Sequence, residues 1–566
     1  MDAVEKGYYL NISKRQLNYY EPANCFLKNW ILLQTKNWIK RVLCGWEISK
    51  ALFEKRRNSL MVENSVSRGR KIRLAYNAAS ALVYQVIAIV AELILPRLFL
   101  SSYGSEVNGL VNSVTQFLGF ISFFELGIGA VVISALYKPL AEHNEDGISA
   151  IMSSARKFYA NIGKALIVYI VVLIAIYPFI NNSGFDGLYS GGLILAISIS
   201  SFVQYFFGAT DRLLLTADQK GYIQYTIQSI TLIITTIVSV ILIKLGSGIH
   251  VVKLAASIIY IIRPVFIRAY INRNYSINRH FIYKEEPLKQ KWNGIAQHIA
   301  AYVLDGTDTI VLTLFSTLKN VSIYSIYHLV IFGVNQLFFA LTSGVQALLG
   351  ELWAKKEKST LDRTFSWFEW IVHSSVVLIY GCTSVLITPF VLVYTSGITD
   401  ANYNTPLFGL MLTLAFGVYG ARLPYSIMIL AANHYKQTQK IYLGAAAINV
   451  IASILMVKSL GLVGVAIGTL IAITFQTIWM AWYCSSALLD RHFEVFIKQG
   501  ITDVIIFVMG VVATHWVPFA NYTFLAWVIL AVKVFLIWVV IAGVVNCVVY
   551  RPFIAMLISR VKAKLK

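Results

Sequence analysis

Eight ionisable side chains stand within long apolar runs of this chain: Glu92, Arg97, Glu125, Arg263, Asp305, Asp308, Arg422 and Lys533. A lone charge at the centre of a bilayer is expensive, so such groups line a cavity, face the inside of a bundle or pair with one another. Asp305 and Asp308 lie three residues apart and share a helix face. Two carboxylates held this close repel each other unless a proton or a cation lies between them, which suits them to bind a proton or a sodium ion. A capped kink at Gly306 is the structural use of the same segment. With Glu92 and Glu125 they form the candidate acids of a transport cavity and of ion coupling. Arginine carries a planar fork of donors that matches phosphate, and Arg97 and Arg422, one in each half of the chain, together with Arg263, are the candidates for holding a diphosphate and its glycan. Structural ion pairing is the competing use, as is snorkelling for Arg97 and Arg263 near span ends. Lys164, Asp211, Arg212, His298 and His328 fall at span ends, where interfacial water solvates them, and receive no role.

The elements that position these groups are membrane helices. The 566 residues are 57% hydrophobic with a mean hydropathy of +0.67, beyond what a soluble fold can bury. About fourteen apolar runs of helix-spanning length follow one another from Leu74 to Val549 without the alternation of barrel strands, so the fold class is an all-α polytopic membrane protein. Among them are runs at 158–180, 366–395 and 500–517. The net charge of +21 reflects loop Lys and Arg facing an anionic inner leaflet rather than nucleic acid. With the N-terminus inside, twenty-seven Lys and Arg fall in cytoplasmic segments, against Lys244, Lys253, Lys319 and Lys458 on the other side. The expectation is a multi-pass protein of the cytoplasmic membrane with both termini cytoplasmic. Residues 1–60 are a basic, aromatic leader. Either Trp30, Trp38 and Trp46 belong to an interfacial helix, or translation starts at Met61, ahead of Arg68, Arg70, Lys71 and Arg73. The five cysteines show no disulfide or metal spacing, and no P-loop or metal-ligand cluster appears, so neither a cofactor nor a metal is expected.

The two halves repeat. Gly127, Ala130 and Lys138 match Gly344, Ala347 and Lys355; Ala217-Asp218-Gln219 matches Ala432-Asn433-His434; Gly248-Ile249 matches Gly461-Leu462, at offsets of 217, 215 and 213. Two six-helix lobes related by an axis along the membrane normal follow, with a substrate site between them. The resulting organisation is a leader (1–60), an N-lobe (61–285), a C-lobe (286–486), and two extra C-terminal helices with a basic tail (487–566).

At Asn108–Phe117, Phe124–Ala130, Ala301–Asp308 and Ser343–Glu351 the chain resembles bacterial capsule and O-antigen repeat-unit flippases, the polysaccharide transporter branch of the multidrug/oligosaccharidyl-lipid/polysaccharide superfamily. The resemblance covers about residues 66–550. It implies a MATE-like two-lobed fold and, as substrate, a polyprenyl-diphosphate-linked oligosaccharide carried from the inner to the outer leaflet by alternating access. It also implies membrane lipids, a polysaccharide polymerase and assembly proteins as partners. The rivals are a MATE-type drug/cation antiporter, favouring an acidic, aromatic cavity, and a lipid-linked peptidoglycan precursor flippase. An enzyme such as a membrane glycosyltransferase would need a large catalytic loop, and no outer loop here exceeds about a dozen residues, so no catalytic residue is assigned.

Overall fold

The computed structural model describes residues 65–121, 128–180, 185–279, 281–283, 285–288, 295–342, 344–489, 491–519, 522–551 and 553–554. The leader, Glu125 and the last basic residues of the tail lie outside the described residues. The chain divides into two compact units, Met1–Ala75 and Tyr76–Lys566. Of the first, residues 65–75 are described and are helical.

In sequence order the helices are α1 (Ser65–Gly119), α2 (Ile128–Ala141), α3 (Glu145–Ile180), α4 (Gly187–Val203), α5 (Ala209–Ala217), α6 (Gly221–Lys244), α7 (Ile249–Tyr260) and α8 (Ile262–Asn274). They continue with α9 (Ile295–Phe315), α10 (Leu318–Thr342), α11 (Val345–Ala354), α12 (Lys358–Tyr394), α13 (Pro406–Ala431), α14 (Tyr435–Tyr483), α15 (Glu494–His515) and α16 (Phe524–Val549). Among the described residues no strand occurs, as expected where lipid leaves each segment to satisfy its own backbone.

Ten of these stretches are long and apolar enough to cross a membrane. Two of the ten are each a pair of helices that turn at a glycine: Gly104 in α1 (φ 82, ψ 173) and Gly461 in α14 (φ 54, ψ −127). Both turns sit in backbone regions that a Cβ disfavours. Counting these pairs separately and adding α9 and α10 gives the fourteen runs read from composition, with α2 sharing one apolar run with the second half of α1. The helices do outrun the apolar runs at lysine-rich ends. α3 begins at Glu145 rather than 158, α12 at Lys358 rather than 366 and α15 at Glu494 rather than 500. Charged residues end a hydropathy run, but they do not end a helix, which propagates cheaply once nucleated.

The repeat has a backbone signature. His143 and Lys356, Gln219 and Asn433, and Gly246 and Gly461 all have positive φ, and the pairs are separated by 213, 214 and 215 residues. Each residue ends a helix on a tight turn. This geometry shifts two of the sequence pairings: Gln219, not Asp218, matches Asn433, and Gly246, not Gly248, matches Gly461.

The last two helices are docked by small-residue packing, the usual device where lipid removes the hydrophobic drive between helices. Trp538 of α16 is fully buried. A Cβ at Gly381 of α12 or Gly510 of α15 would overlap its indole, at 2.6 Å from the ring in the case of Gly510. Trp370 Nε1 donates to Asn546 Oδ1 at 2.8 Å and Trp527 Nε1 to the Leu386 carbonyl at 3.1 Å. Gly381→Leu is expected to unseat α16, at a cost on the order of the 3–5 kcal/mol seen when a buried tryptophan is lost. The check is the thermal midpoint in detergent together with proteolysis between α15 and α16; an unchanged midpoint would show that the indole is not held by this groove.

Candidate functional site

At the lysine-poor end of the bundle the first and second halves of the chain are sealed together. Gly104 breaks α1, and Asp400, in the loop after α12, accepts the restarted helix: its carboxylate takes hydrogen bonds from Ser105 N at 2.6 Å and Ser105 Oγ at 2.7 Å. An acidic cap at a helix N-terminus satisfies free N–H groups and matches the dipole. The Tyr403 hydroxyl lies 2.8 Å from Ser105 Oγ and 3.0 Å from Ser322 Oγ, and Asn108 Nδ2 donates to Ser322 Oγ at 2.8 Å. Burial pushes the Tyr403 phenol up from its ordinary range, so it stays a neutral hydroxyl within the seal.

The contact continues inward because α1 carries small residues on this face. Gly109 lies against the Leu318 carbonyl, Thr313 Oγ1 donates to Ser113 Oγ at 2.9 Å, Gly306 receives the Gln116 amide and Gly119 receives the Tyr302 hydroxyl. Ser105, Asn108, Ser113 and Ser322 are all buried. Apart from the Asp400 carboxylate and an exposed Lys319–Glu106 ion pair at 3.5 Å, the contacts along this face are neutral hydrogen bonds, each contributing about 1 kcal/mol net. Such a seal can hold one end shut and still open.

The predicted arginines do not converge. Arg97 donates to the carbonyls of Val393 and Tyr394 at the C-terminus of α12, while Tyr394 Oη donates to the Leu93 carbonyl at 2.7 Å. The guanidinium thus meets the negative end of a helix and belongs to the seal. Arg263 of α8 donates to Thr231 Oγ1 at 2.7 Å and lies 4.4 Å over the Tyr260 ring. Tyr84 is within electrostatic reach of both Arg263 and Glu92, so these two predicted residues do share a neighbourhood in the first half. Glu92 itself is exposed.

Arg422 of α13 is buried, stacks 4.3 Å over Tyr419 and donates to Gln476 Oε1 of α14. Among the described residues its Nε and the Gln476 Nε2 are buried without hydrogen-bond partners. A guanidinium with donors to spare is poised for an anion or a second acceptor.

Asp308 of α9 is buried and central to a polar cluster. Thr469 Oγ1 is 2.8 Å from each carboxylate oxygen, Tyr324 donates to Oδ2 at 3.1 Å and Asn449 Nδ2 donates to Thr469 Oγ1 at 2.9 Å. Asn449 Oδ1 is buried and unpartnered. A carboxylate, a hydroxyl and a free amide oxygen from three helices are hard donors suited to a proton or a small cation. Asp305 is on the same helix but its side chain lies outside the described residues, as does Glu125. Lys533 is exposed.

The most extensive buried charge network involves residues that hydropathy passed over. Arg491, just before α15, clasps Glu369 of α12 in two bonds of 2.5 and 2.8 Å. The Tyr425 hydroxyl donates to Glu369 Oε1 at 2.7 Å and lies 3.2 Å from His373 Nε2, while His373 Nδ1 lies 2.6 Å from Asp503 Oδ2. Burial pulls the Arg491 guanidinium down, but the bond and charge of Glu369 more than reverse this and hold it above its ordinary range. The available signal was Glu369 and His373 at i, i+4, on one face of a helix that begins eight residues before its apolar run.

No family model and no curated protein sequence matches the chain. Solved structures do. The lipid II flippase MurJ in an inward closed conformation aligns with a TM-score of 0.63 at 16% identity, covering 84% of this chain and 99% of that one. An inward-facing multidrug resistance MATE family transporter of the MOP superfamily gives 0.56 at 14% identity, over 72% and 98%. The Vibrio cholerae MATE transporter VcmN in the bent form gives 0.50 at 14%, over 76% and 98%. At these identities the likeness establishes the fold: this chain has the all-helical architecture shared by MurJ and the MATE transporters.

Proposed function

We propose that this protein is a flippase that carries polyprenyl-diphosphate-linked oligosaccharide from the inner to the outer leaflet of the cytoplasmic membrane by alternating access between an N-lobe (61–285) and a C-lobe (286–486). The observation that carries the reading is the seal between α1 and the second half: one end of the inter-half space is closed by separable hydrogen bonds, most of them between neutral groups, as a transporter loaded from the opposite side requires. The lysine-rich end is then cytoplasmic, with both termini on that side. Arg422, with donors to spare, offers its guanidinium group to the diphosphate, while the polyprenyl tail stays in lipid. An outward-moving dianion gains about 2.3 kcal/mol per charge per 100 mV from an inside-negative potential, and Asp308 with Thr469 and Asn449 supplies a seat for a coupling proton or sodium ion. Polymerase and assembly proteins would act on the product.

A second reading, flipping of a lipid-linked peptidoglycan precursor, is favoured by the wider match to MurJ, which spans 84% of the chain against 72% for the MATE transporter. A drug/cation antiporter lacks such support.

The test is a strain lacking the protein, scored for the leaflet on which lipid-linked glycan accumulates. Inner-leaflet trapping of an oligosaccharide lipid is expected, with export restored by the wild-type chain and reduced at least tenfold by Arg422→Ala. Asp308→Asn is expected to lower the export rate and abolish its dependence on the pH or sodium gradient. Trapping of peptidoglycan precursor instead would select the second reading, and normal export with lost drug tolerance would overturn both.

A further inference from the structure

Away from the inter-half space, on the lysine-rich end of the first half, three arginines surround one buried carboxylate. Asp211 of α5 is 2% exposed, and Arg268 Nε of α8 and Arg279 Nη1 of the following segment each approach its Oδ2 at 3.4 Å. Arg156 of α3 stands within electrostatic reach of all three. The four groups line a narrow, solvent-facing cleft together with Phe206 and Phe207.

The charges do not cancel: three guanidinium groups meet one carboxylate, leaving two positive charges facing the cleft. The contacts do not saturate either. Charge-assisted hydrogen bonds settle near 2.7–2.9 Å, and those at Asp211 are longer. Among the described residues, Arg268 Nε is buried with no hydrogen-bond partner. Arg279 Nη2 also donates to Asn272 Oδ1 at 2.9 Å, but that neutral acceptor leaves three guanidinium groups facing one carboxylate, and an oxyanion bridging them relieves their repulsion.

Residues Gln204–Gly208 form a π-helical turn between α4 and α5, and this extra residue rotates Phe206 against α3, where a Cβ at Gly163 would come within 2.8 Å of its ring. Phe207 is left 42% exposed at the cleft. An apolar ring beside a cationic pocket fits an amphiphile whose charged group enters while its chain lies outside.

We propose that this cleft is a binding site for the phosphate group of an anionic lipid, separate from the transport path. Its position at the cytoplasmic leaflet rests on the orientation adopted above, but the binding itself does not. The phosphate could be carried by a bilayer phospholipid or be free in solution, and the probes separate these sources.

The full chain, purified in detergent, would be titrated with phosphatidylglycerol, with phosphatidylcholine and with inorganic phosphate, and bound lipid would be counted by native mass spectrometry. The expected result is retention of phosphatidylglycerol over phosphatidylcholine, reduced at least fivefold in Arg156→Gln. Asp211→Asn removes the competing carboxylate and is expected to tighten binding, a gain that mere structural damage does not produce. Displacement of phosphatidylglycerol by millimolar phosphate in the wild type but not in Arg156→Gln would confirm the phosphate group as the recognised feature. Binding of inorganic phosphate with no retained lipid would support the phosphate site and reassign its ligand to the soluble pool. Equal retention of phosphatidylglycerol by wild type, Arg156→Gln and Arg268→Gln would overturn the proposal, whatever the strain assay says about transport.

Discussion

A chain carrying Ser113→Cys and Thr313→Cys is expected to lose at least nine-tenths of its transport when oxidised and to regain it on reduction. The two hydroxyls are 2.9 Å apart, buried, and two hundred residues apart in sequence, one on α1 and the other on α9. Disulfides form when Cβ atoms come within about 3.5–4.5 Å, and two side chains in direct hydrogen-bonding contact through their γ-atoms are close to that range. The bond would replace a contact of about 1 kcal/mol with a covalent one, locking the seal that runs from Asp400 and Ser105 to Tyr302. If alternating access operates, a locked seal stops every cycle, so the effect is all-or-none per molecule. Each single cysteine variant controls for loss of the hydroxyl. Transport that continues in fully cross-linked protein would mean that the two halves do not separate here, and the reading of this contact as a gate would fall.

The second large effect is at Glu369. Its carboxylate is buried and holds Arg491 with bonds of 2.5 and 2.8 Å while accepting from Tyr425. Removing one member of a buried pair strands the other, which costs roughly 3–5 kcal/mol, whereas replacing both with apolar groups of similar size is often close to neutral. Glu369→Leu is therefore expected to lower the thermal midpoint sharply and to reduce the amount of folded protein in the membrane. Glu369→Leu combined with Arg491→Leu should recover most of the loss. The recovery is the informative quantity, because it separates a stranded charge from lost packing. A double variant no better than the single would mean that the pair does more than neutralise itself, and attention would move to the chain of contacts through Tyr425 and His373 to Asp503, which ties α12 and α13 to α15.

Much of the architecture was legible because the membrane reduces the problem to one dimension. Lipid demands about twenty apolar residues per helix, so Leu74 to Val549 could be divided into spans by composition, and offsets near 215 exposed the repeat before any turn was seen. Helix ends were less legible where water begins. The amphipathic starts of α3 and α12 carry charge, so their first turns looked like loop; Glu369 and His373 lie just inside the run that begins at 366 and were passed over as residues of its edge.

The chain by itself determined the all-helical membrane fold and the repeated order of its turns, and it singled out Asp308 and Arg422 among the charges that are sheltered. Only the tertiary structure decided what shelters them. Arg97 is taken by main-chain carbonyls, Arg422 by Gln476, Asp308 by Thr469, and Asp211, which had looked like a solvated end residue, is buried among arginines from α3, α8 and the segment after it. The physical reason is that hydropathy and period act along one helix, within a few residues, whereas a buried charge is satisfied by donors and acceptors from other helices. Those partners lie tens to hundreds of residues away and are fixed by how glycine and serine faces let the helices approach.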